Sequence, residues 1–352
     1  MNQSPNEPSA SGPAAPPEAA GRRRSKLARL WTLLFLLLGF GLMAVLIAFE
    51  DTAAIGAAIA SAGWGIAIVT LFHLVPMALD ALGLYGLMQR AHRPRLWRLF
   101  GLYWIGESIN TLLPVAQIGG EFVRTRLLVM SGVPGVNAGA YIVGNLTLGV
   151  FAQGIFAVIG LVVLVLQYGE QNGATTHAAI GAAIILGGVG LFYIVQRIGL
   201  FSFIARFFKA LARGKDWLDL VGNAGELDAA VRAIYRRRGA VLHSLSLQFL
   251  SWVFGTGEVW LSLHFMGRDA SLLDALMIEA LGQAVRSGAF MVPASLGVQE
   301  GGYVLLGAVI GLPPEISLAL SLIKRVREVA IGVPGLIAWQ IVEGRRWLLL
   351  KR

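Results

Sequence analysis

The sequence contains no cysteine, and that absence excludes disulfides, thiolate metal sites and cysteine nucleophiles. Charge is scarce as well. Only 14% of the 352 residues are Asp, Glu, Lys or Arg, against 56% hydrophobic, and the mean hydropathy is +0.68. A soluble domain could not bury that much apolar surface and stay dispersed, so composition places the chain among polytopic membrane proteins. Catalytic signatures are missing too: there is no HExxH, GxSxG or GxxxxGK[ST] segment. The acidic pairs Asp216/Asp219 and Glu226/Asp228 have the spacing of solvated helical charge patterning. The sequence thus predicts no catalytic residue, no metal site and no cofactor. It leans away from an enzyme, with an intramembrane lipid transferase left open.

What is present is a basic excess, a net charge of +9. The basic residues stand in short blocks between apolar runs, the pattern of cytoplasmic loops in an integral membrane protein rather than of a nucleic-acid surface. Residues 1–29 form a tail, rich in Pro, Ala, Ser and Gly up to residue 21 and then basic (Arg22, Arg23, Arg24, Lys26, Arg29). Such a composition cannot repay its ordering entropy and reads as disordered. Apolar runs of the ~20 residues needed to cross a bilayer fall at 30–49, 64–88, 137–166, 178–196, 240–266 and 316–342. The first is too long for a signal-peptide core, so it reads as an uncleaved span. Loop 89–98 carries Arg90, Arg93, Arg95 and Arg98, the linker 197–239 ends in three arginines, and the segment after Glu343 is basic; loops 50–63 and 167–177 hold acids only. The basic side, with both termini, is expected to be cytoplasmic. In the linker, Phe201, Ile204, Phe207, Phe208 and Leu211 alternate with Arg206, Lys209 and Arg213, which suits an amphipathic helix on an anionic leaflet.

Two short apolar segments carry the same punctuation. Pro114, Glu121, Gly132 and Pro134 recur 179 positions later as Pro293, Glu300, Gly311 and Pro313. Parity of the basic and acidic loops requires residues 99–131 to return to the side they left, and the same holds for 271–310 from the opposite face. Pro114 and Pro293 break these stretches into halves too short to span comfortably. Two re-entrant hairpins fit, since broken backbone is tolerated inside protein or along a cavity; a pair of tight spans is the alternative for each. The offset also lays span 64–88 onto 243–267 and span 137–166 onto 316–345. The predicted fold is an all-α polytopic membrane protein, with about six full spans plus two re-entrant helical hairpins in an inverted repeat. Its parts are the tail 1–29, a membrane half 30–196 with the first repeat unit, a cytoplasmic amphipathic linker 197–239, and a second repeat unit with a short basic tail, 240–352.

Ionisable side chains inside apolar segments are costly and normally face protein or water. Glu121 follows Gly119 and Gly120, and Arg124 shares its helical face. Glycines at a helix start leave free N–H groups that favour an anion. The functional reading is a lipid-headgroup site in which Arg124 and Arg126 contact an anion while Glu121 and Glu300 gate or carry protons. The structural reading is an internal Glu–Arg pair that closes the hairpin. Lys324 and Glu328 are spaced to pair on one helix, leaving Arg325 and Arg327 to line a polar cavity. Arg286 aligns with Glu107 under the offset, which suggests a pair across the repeat interface. Asp80 and Glu258, one residue from equivalence, read as packing contacts or ion-coupling groups, and His73 and His243 as core hydrogen-bond partners.

At Glu107-Ser-Ile-Asn-Thr-Leu-Leu-Pro114, Gly119-Gly-Glu121-Phe-Val-Arg124 and Pro293-Ala-Ser-Leu-Gly-Val-Gln-Glu300-Gly, the sequence resembles the lysylphosphatidylglycerol synthase transmembrane-domain family. This flippase-like module also stands at the N-terminus of multiple peptide resistance factors. The resemblance covers about residues 30–342 and is greatest to the branch associated with hopanoid biosynthesis. It adds Asn110 to the substrate-binding or gating set and marks Pro114 and Pro293 as hairpin breaks. Where the family often carries a further glycine after Pro293, this chain has Ala294 and Ser295. No counterpart of the soluble aminoacyl-transferase domain is read in the sequence, so lysyl transfer is not expected. The resemblance implies translocation or handling of a polar lipid, a hopanoid or a phospholipid, in a bacterial inner membrane. Membrane lipids and lipid-biosynthetic enzymes are the partners it implies. A non-transporting accessory subunit of a biosynthetic complex is the rival reading.

Overall fold

The structure is a computed structural model that describes residues 37–38, 41–113, 119–169, 224–289 and 292–350. The tail 1–29, the expected span 178–196, the linker up to residue 223 and Pro114 lie outside the described residues, as do residues 30–36 and 39–40 of the first expected span. Every regular element among the described residues is helical. In chain order these are α1 (Gly41–Phe49), α2 (Thr52–Ala62), α3 (Gly65–Phe72), α4 (Leu74–Leu87), α5 (Leu96–Leu112), α6 (Gly119–Met130), α7 (Gly135–Tyr168), α8 (Ala224–Arg236), α9 (Arg238–Phe265), α10 (Leu272–Gly288), α11 (Val298–Val309) and α12 (Pro314–Leu350), with short 3-10 turns at Arg90–His92 and Pro293–Ser295.

Helix boundaries follow the sequence repeat. α6 and α11 differ by the same 179 positions at both ends, and α7 and α12 begin 179 positions apart. The shared Gly and Pro explain why. Gly132 (φ 92°) and Gly311 (φ 75°) adopt the left-handed conformation that ends a helix, which glycine enters without steric cost. Around them the N–H groups of Val133 and Leu312 turn back to donate to the carbonyls of Leu128 and Gly307. Pro134 and Pro313 then precede the first residues of α7 and α12, where a missing N–H costs nothing. Pro76 acts differently. Sitting in the first turn of α4, it cannot donate to the carbonyl of Phe72, and the path from α3 to α4 breaks at His73.

The long helices expose apolar side chains and bury polar and charged ones beside their apolar core. α12 exposes Val326, Val329, Val333, Ile337 and Ile341, one stripe at helical spacing, while Lys324, Arg327 and Glu328 are buried. α9 likewise turns Leu242, Leu250 and Phe254 outward and Ser244, Gln248, Ser251 and Glu258 inward. A water-soluble bundle has the opposite pattern, so the surrounding medium is hydrocarbon. Among the described residues, the continuous path Gly65–Leu87 and α7 are long and apolar enough to cross a membrane; α1 and α2 meet that standard together but are bent by 94°. α9 and α12, with 28 and 37 residues, exceed the required length at 1.5 Å per residue but bury more polar side chains, Ser244, Gln248, Ser251 and Glu258 in α9 and Lys324, Arg327 and Glu328 in α12.

Two apolar clusters hold the fold. One gathers Met77, Leu84, Leu99, Leu128, Tyr141 and Ile142 from α4 to α7, together with Val231 and Ile234 of α8. That contact places the described end of the 197–239 linker against α7. The other joins α2, α3, α9, α10 and α11 with Ile316–Ile323 of α12 and Leu164 near the end of α7. Among the described residues, α4 and α9, which the sequence offset pairs, make the most extensive helix–helix contact. The long helices cross between clusters. α7 starts in the first and ends against α10, where a Cβ on Gly160 would sit 2.5 Å from that of Ala280. α12 starts in the second and ends against α5 and α6, packing Leu336 and Trp339 on Ile105, Ile109 and Leu127. Midway along α12, Pro334 removes one backbone hydrogen bond, and the Trp104 indole N–H donates to the nearby Ile331 carbonyl at 2.9 Å.

Candidate functional site

A cavity of about 290 Å³ opens between the two clusters, lined from α4, α5 and α6 on one side and α9, α10 and α12 on the other. Of the residues singled out in sequence, Asn110, Glu121, Arg124 and Arg327 line it; Glu300, Arg325, Arg126, Gly119 and Gly120 do not. The rest of its charge comes from Asp80, Glu107, Glu258, Glu279, Arg286, Lys324 and Glu328, with His73 at the α3–α4 break.

On the first-repeat wall the Glu121–Arg124 pairing is present. Arg124 Nη1 donates to Glu121 Oε1 at 2.5 Å and Nη2 to Glu107 Oε2 at 3.1 Å and to the Tyr103 carbonyl at 3.2 Å. The guanidinium also lies 3.9 Å from the centre of the Tyr103 ring, a favourable cation–π distance. The free N–H groups expected at the start of α6 are partly taken: Gly120 N–H donates to Asn110 Oδ1 at 2.7 Å, and Asn110 Nδ2 donates to Glu121 Oε1 at 3.2 Å. Asn110 is therefore a cap that ties the two arms of the hairpin. Gly120 serves the same closure, since a Cβ there would lie 2.0 Å from the Gly106 carbonyl oxygen.

The second hairpin is clamped from α12. Glu300 is fully buried; its Oε2 accepts from Gly297 N–H at 2.7 Å and its Oε1 from Arg325 Nε at 3.1 Å. Arg325 Nη1 donates to the Ala294 carbonyl at 2.7 Å. Ala294 (φ 52°) and Ser295 (φ 50°) are held in the left-handed region, which costs a residue with a Cβ about 1–2 kcal/mol. These are the positions where the resembling sequences offer a glycine. The Arg325 clamp and the Ser295 hydroxyl, which donates to the Arg286 carbonyl at 3.2 Å, maintain the turn. Arg325 and Glu300 thus brace the hairpin tip and stand behind the cavity wall.

Three pairings differ from the sequence expectation. Lys324 pairs with Glu279 of α10 and not with Glu328 on its own helix. Glu328 instead accepts from Arg286, and from Arg325 at 3.3 Å. The Glu107–Arg286 pair does not form, because each is held on its own side of the cavity, Glu107 by Arg124 and Arg286 by Glu328. His73 is more than a core partner. Its Nδ1 lies 2.6 Å from Glu258 Oε1 and 2.5 Å from Arg327 Nη1, which is also 3.0 Å from Nε2. Arg327 in turn reaches Glu258 at 3.4 Å, so imidazole, carboxylate and guanidinium form one cluster. The proline break at His73 was the available sequence signal for this site.

Arg126 lies apart from the cavity. Its side chain is 48% exposed and pairs with Glu343 at 3.0 Å. Surface pairs of this kind contribute little. Arg126→Ala is expected to change stability by no more than about 1 kcal/mol, measured by thermal unfolding in detergent; a larger loss would give the Arg126–Glu343 contact a structural weight that its exposure denies.

The geometry can be set beside known proteins. Over 240 residues the chain is 24% identical to a UPF0104 membrane protein of Methanothermobacter thermautotrophicus, covering 64% of this chain and 70% of that one. No solved structure matches. Residues 33–335, which take in both hairpins and every cavity-lining side chain, match the family described as the lysylphosphatidylglycerol synthase TM region, and the chain is a membrane protein belonging to that family.

Proposed function

We propose that the chain is a flippase-like membrane protein that translocates a polar lipid by alternating access. The observation that carries this reading is the charged cavity, built jointly by α4–α6 and by α9, α10 and α12 inside an apolar exterior. A polar headgroup would lodge among Tyr103, Glu107, Asn110 and Arg124 while its tails stay in the bilayer. Two hairpins in inverted orientation would then open the cavity to one face at a time. Family membership supports a lipid substrate, a hopanoid or a phospholipid. We place the protein in a bacterial inner membrane, with Arg90, Arg93, Arg95 and Arg98 on the cytoplasmic side by the positive-inside rule.

Headgroup translocation in proteoliposomes tests this. Glu107 is the cavity residue to change, because 40% of its side chain is exposed and its removal leaves the Glu121–Arg124 pair in place. Glu107→Gln is expected to slow translocation of a headgroup-labelled phospholipid by about tenfold, equivalent to ~1.4 kcal/mol, with its melting temperature retained. Wild-type protein that moves no lipid would reject the reading. The internal pairing of Arg124, Arg286, Lys324 and Arg327 favours one rival, a non-transporting subunit of a lipid-biosynthetic complex, which predicts a co-purifying enzyme and no translocation.

A further inference from the structure

We propose that the rim of the protein around loop 89–98, remote from the cavity, is a binding surface for anionic phospholipid headgroups. The path Gly65–Leu87, long and apolar enough to cross a membrane, ends at this loop, so the loop stands at the depth of one leaflet's headgroups. Its arginines sort by what they touch. Arg237 Nη1 donates to the Leu87 carbonyl at 2.8 Å and Arg93 Nε to that of Met88 at 3.3 Å; these two satisfy the carbonyl end of α4. Arg232 pairs with Asp228. Arg90, Arg95, Arg98, Arg236 and Arg238 remain, all exposed and none paired with a carboxylate among the described residues. The cavity treats cations differently: Arg124, Arg286, Lys324 and Arg327 each have a carboxylate partner.

Packing brings these arginines to one side. Val231 and Ile234 of α8 share an apolar cluster with Leu87, Met88 and Leu99, and the Arg237 bond ties the α8–α9 junction to the end of α4. Arg236 and Arg238, which flank Arg237, therefore stand beside the loop. The rim also has an apolar companion at the start of α5. Leu96 and Trp97 are 46% and 66% exposed, and the Arg98 guanidinium lies 5.2 Å from the centre of the Trp97 ring. That combination fits a lipid better than a soluble polyanion: the guanidinium forks take phosphate oxygens, while the indole and Leu96 reach the glycerol and upper acyl chain. The other end of the same helices is unlike it. There Trp64 is 87% exposed, the turn between α1 and α2 carries Glu50 and Asp51, and Arg268 stands next to Asp269. The surplus of free cations is confined to one leaflet.

Native mass spectrometry of the purified protein in neutral detergent, titrated with phosphatidylglycerol or with phosphatidylcholine of the same acyl chains, tests this. Each arginine beside an anionic surface contributes about fivefold in affinity. The wild type is thus expected to prefer phosphatidylglycerol by about tenfold or more. Arg95→Gln/Arg98→Gln should remove most of that preference and leave phosphatidylcholine binding unchanged, whereas Arg268→Gln, at the other end, should keep it. Equal binding of the two lipids by the wild type overturns the proposal even if no variant folds. So does a preference that survives in the double variant, or that falls as far in Arg268→Gln. Displacement of phosphatidylglycerol by millimolar inorganic phosphate would make a free anion the occupant and overturns it as well. The site does not rest on the function proposed above: wild-type protein that moves no lipid leaves it standing, and loss of the lipid preference leaves translocation standing.

Discussion

Lys324→Met is expected to destabilise the protein by about 3–5 kcal/mol, the usual cost of stranding one member of a buried ion pair. Lys324 is 1% exposed and its ammonium pairs with Glu279, itself 2% exposed. Glu279 is already held from two other directions, by Gln283 Nε2 at 2.9 Å and by the Tyr303 hydroxyl at 3.4 Å. Those neutral donors cannot replace a cation. Methionine keeps the length and most of the volume of lysine, so the loss isolates charge from packing. The double variant Lys324→Met/Glu279→Gln is expected to recover most of it, because two neutral side chains of similar shape carry no unpaired charge. Thermal unfolding of the three variants reads the effect. A single variant as stable as the wild type would mean that Glu279 is neutral without Lys324, and that the pair is not an ionic strut.

Gly120→Ala is expected to open the first hairpin. A methyl group there would lie 2.0 Å from the Gly106 carbonyl oxygen and 2.8 Å from the Asn110 side chain. The first of these is backbone, which cannot swing aside, so α5 and α6 must separate. Overpacking of this kind costs about 1–3 kcal/mol, and the loss of the Asn110 cap on the Gly120 N–H adds to it. Gly101→Ala, on the same hairpin, is the matched control: nothing lies within 4 Å of its added methyl, and replacing a helical glycine stabilises by about 0.5–1 kcal/mol. Opposite signs for two glycine-to-alanine changes in one hairpin are the expected result, measured as shifts in melting temperature. A Gly120→Ala protein that melts with the wild type would remove the close approach of the two arms.

The matching ends of α6 and α11 were legible because they are written in residue types with strong backbone preferences. Gly132 and Gly311 must be left-handed, Pro134 and Pro313 must precede helices, and the ends of α6 and α11 follow. The Glu121–Arg124 pair was legible for a similar reason, being set by helical geometry within one element. Pairings between elements were not. Lys324 had a partner at the correct spacing on its own helix, Glu328, yet it pairs with Glu279, 45 residues away; only the rotation of α12 against α10 decides between them. The N–H groups at the start of α6 read as a ligand site because Asn110, ten residues earlier on the opposite arm, was not seen to reach them. The strained turn at Ala294 and Ser295 was visible as a departure from the resembling sequences, but its brace, Arg325, comes from 31 residues further on.

α7 and α12 lace the two clusters together, each beginning in one and ending on the other. Blocks joined by two such straps cannot swing apart rigidly; the straps must slide or flex. Pro334 leaves α12 a soft joint with one backbone bond already missing, whereas the aligned position of α7 is Ile155 in unbroken helix. Compliance is therefore lopsided between the two straps. Any yielding of the pair is concentrated at one joint, where the Trp104 indole ties the first hairpin to the turn before Pro334.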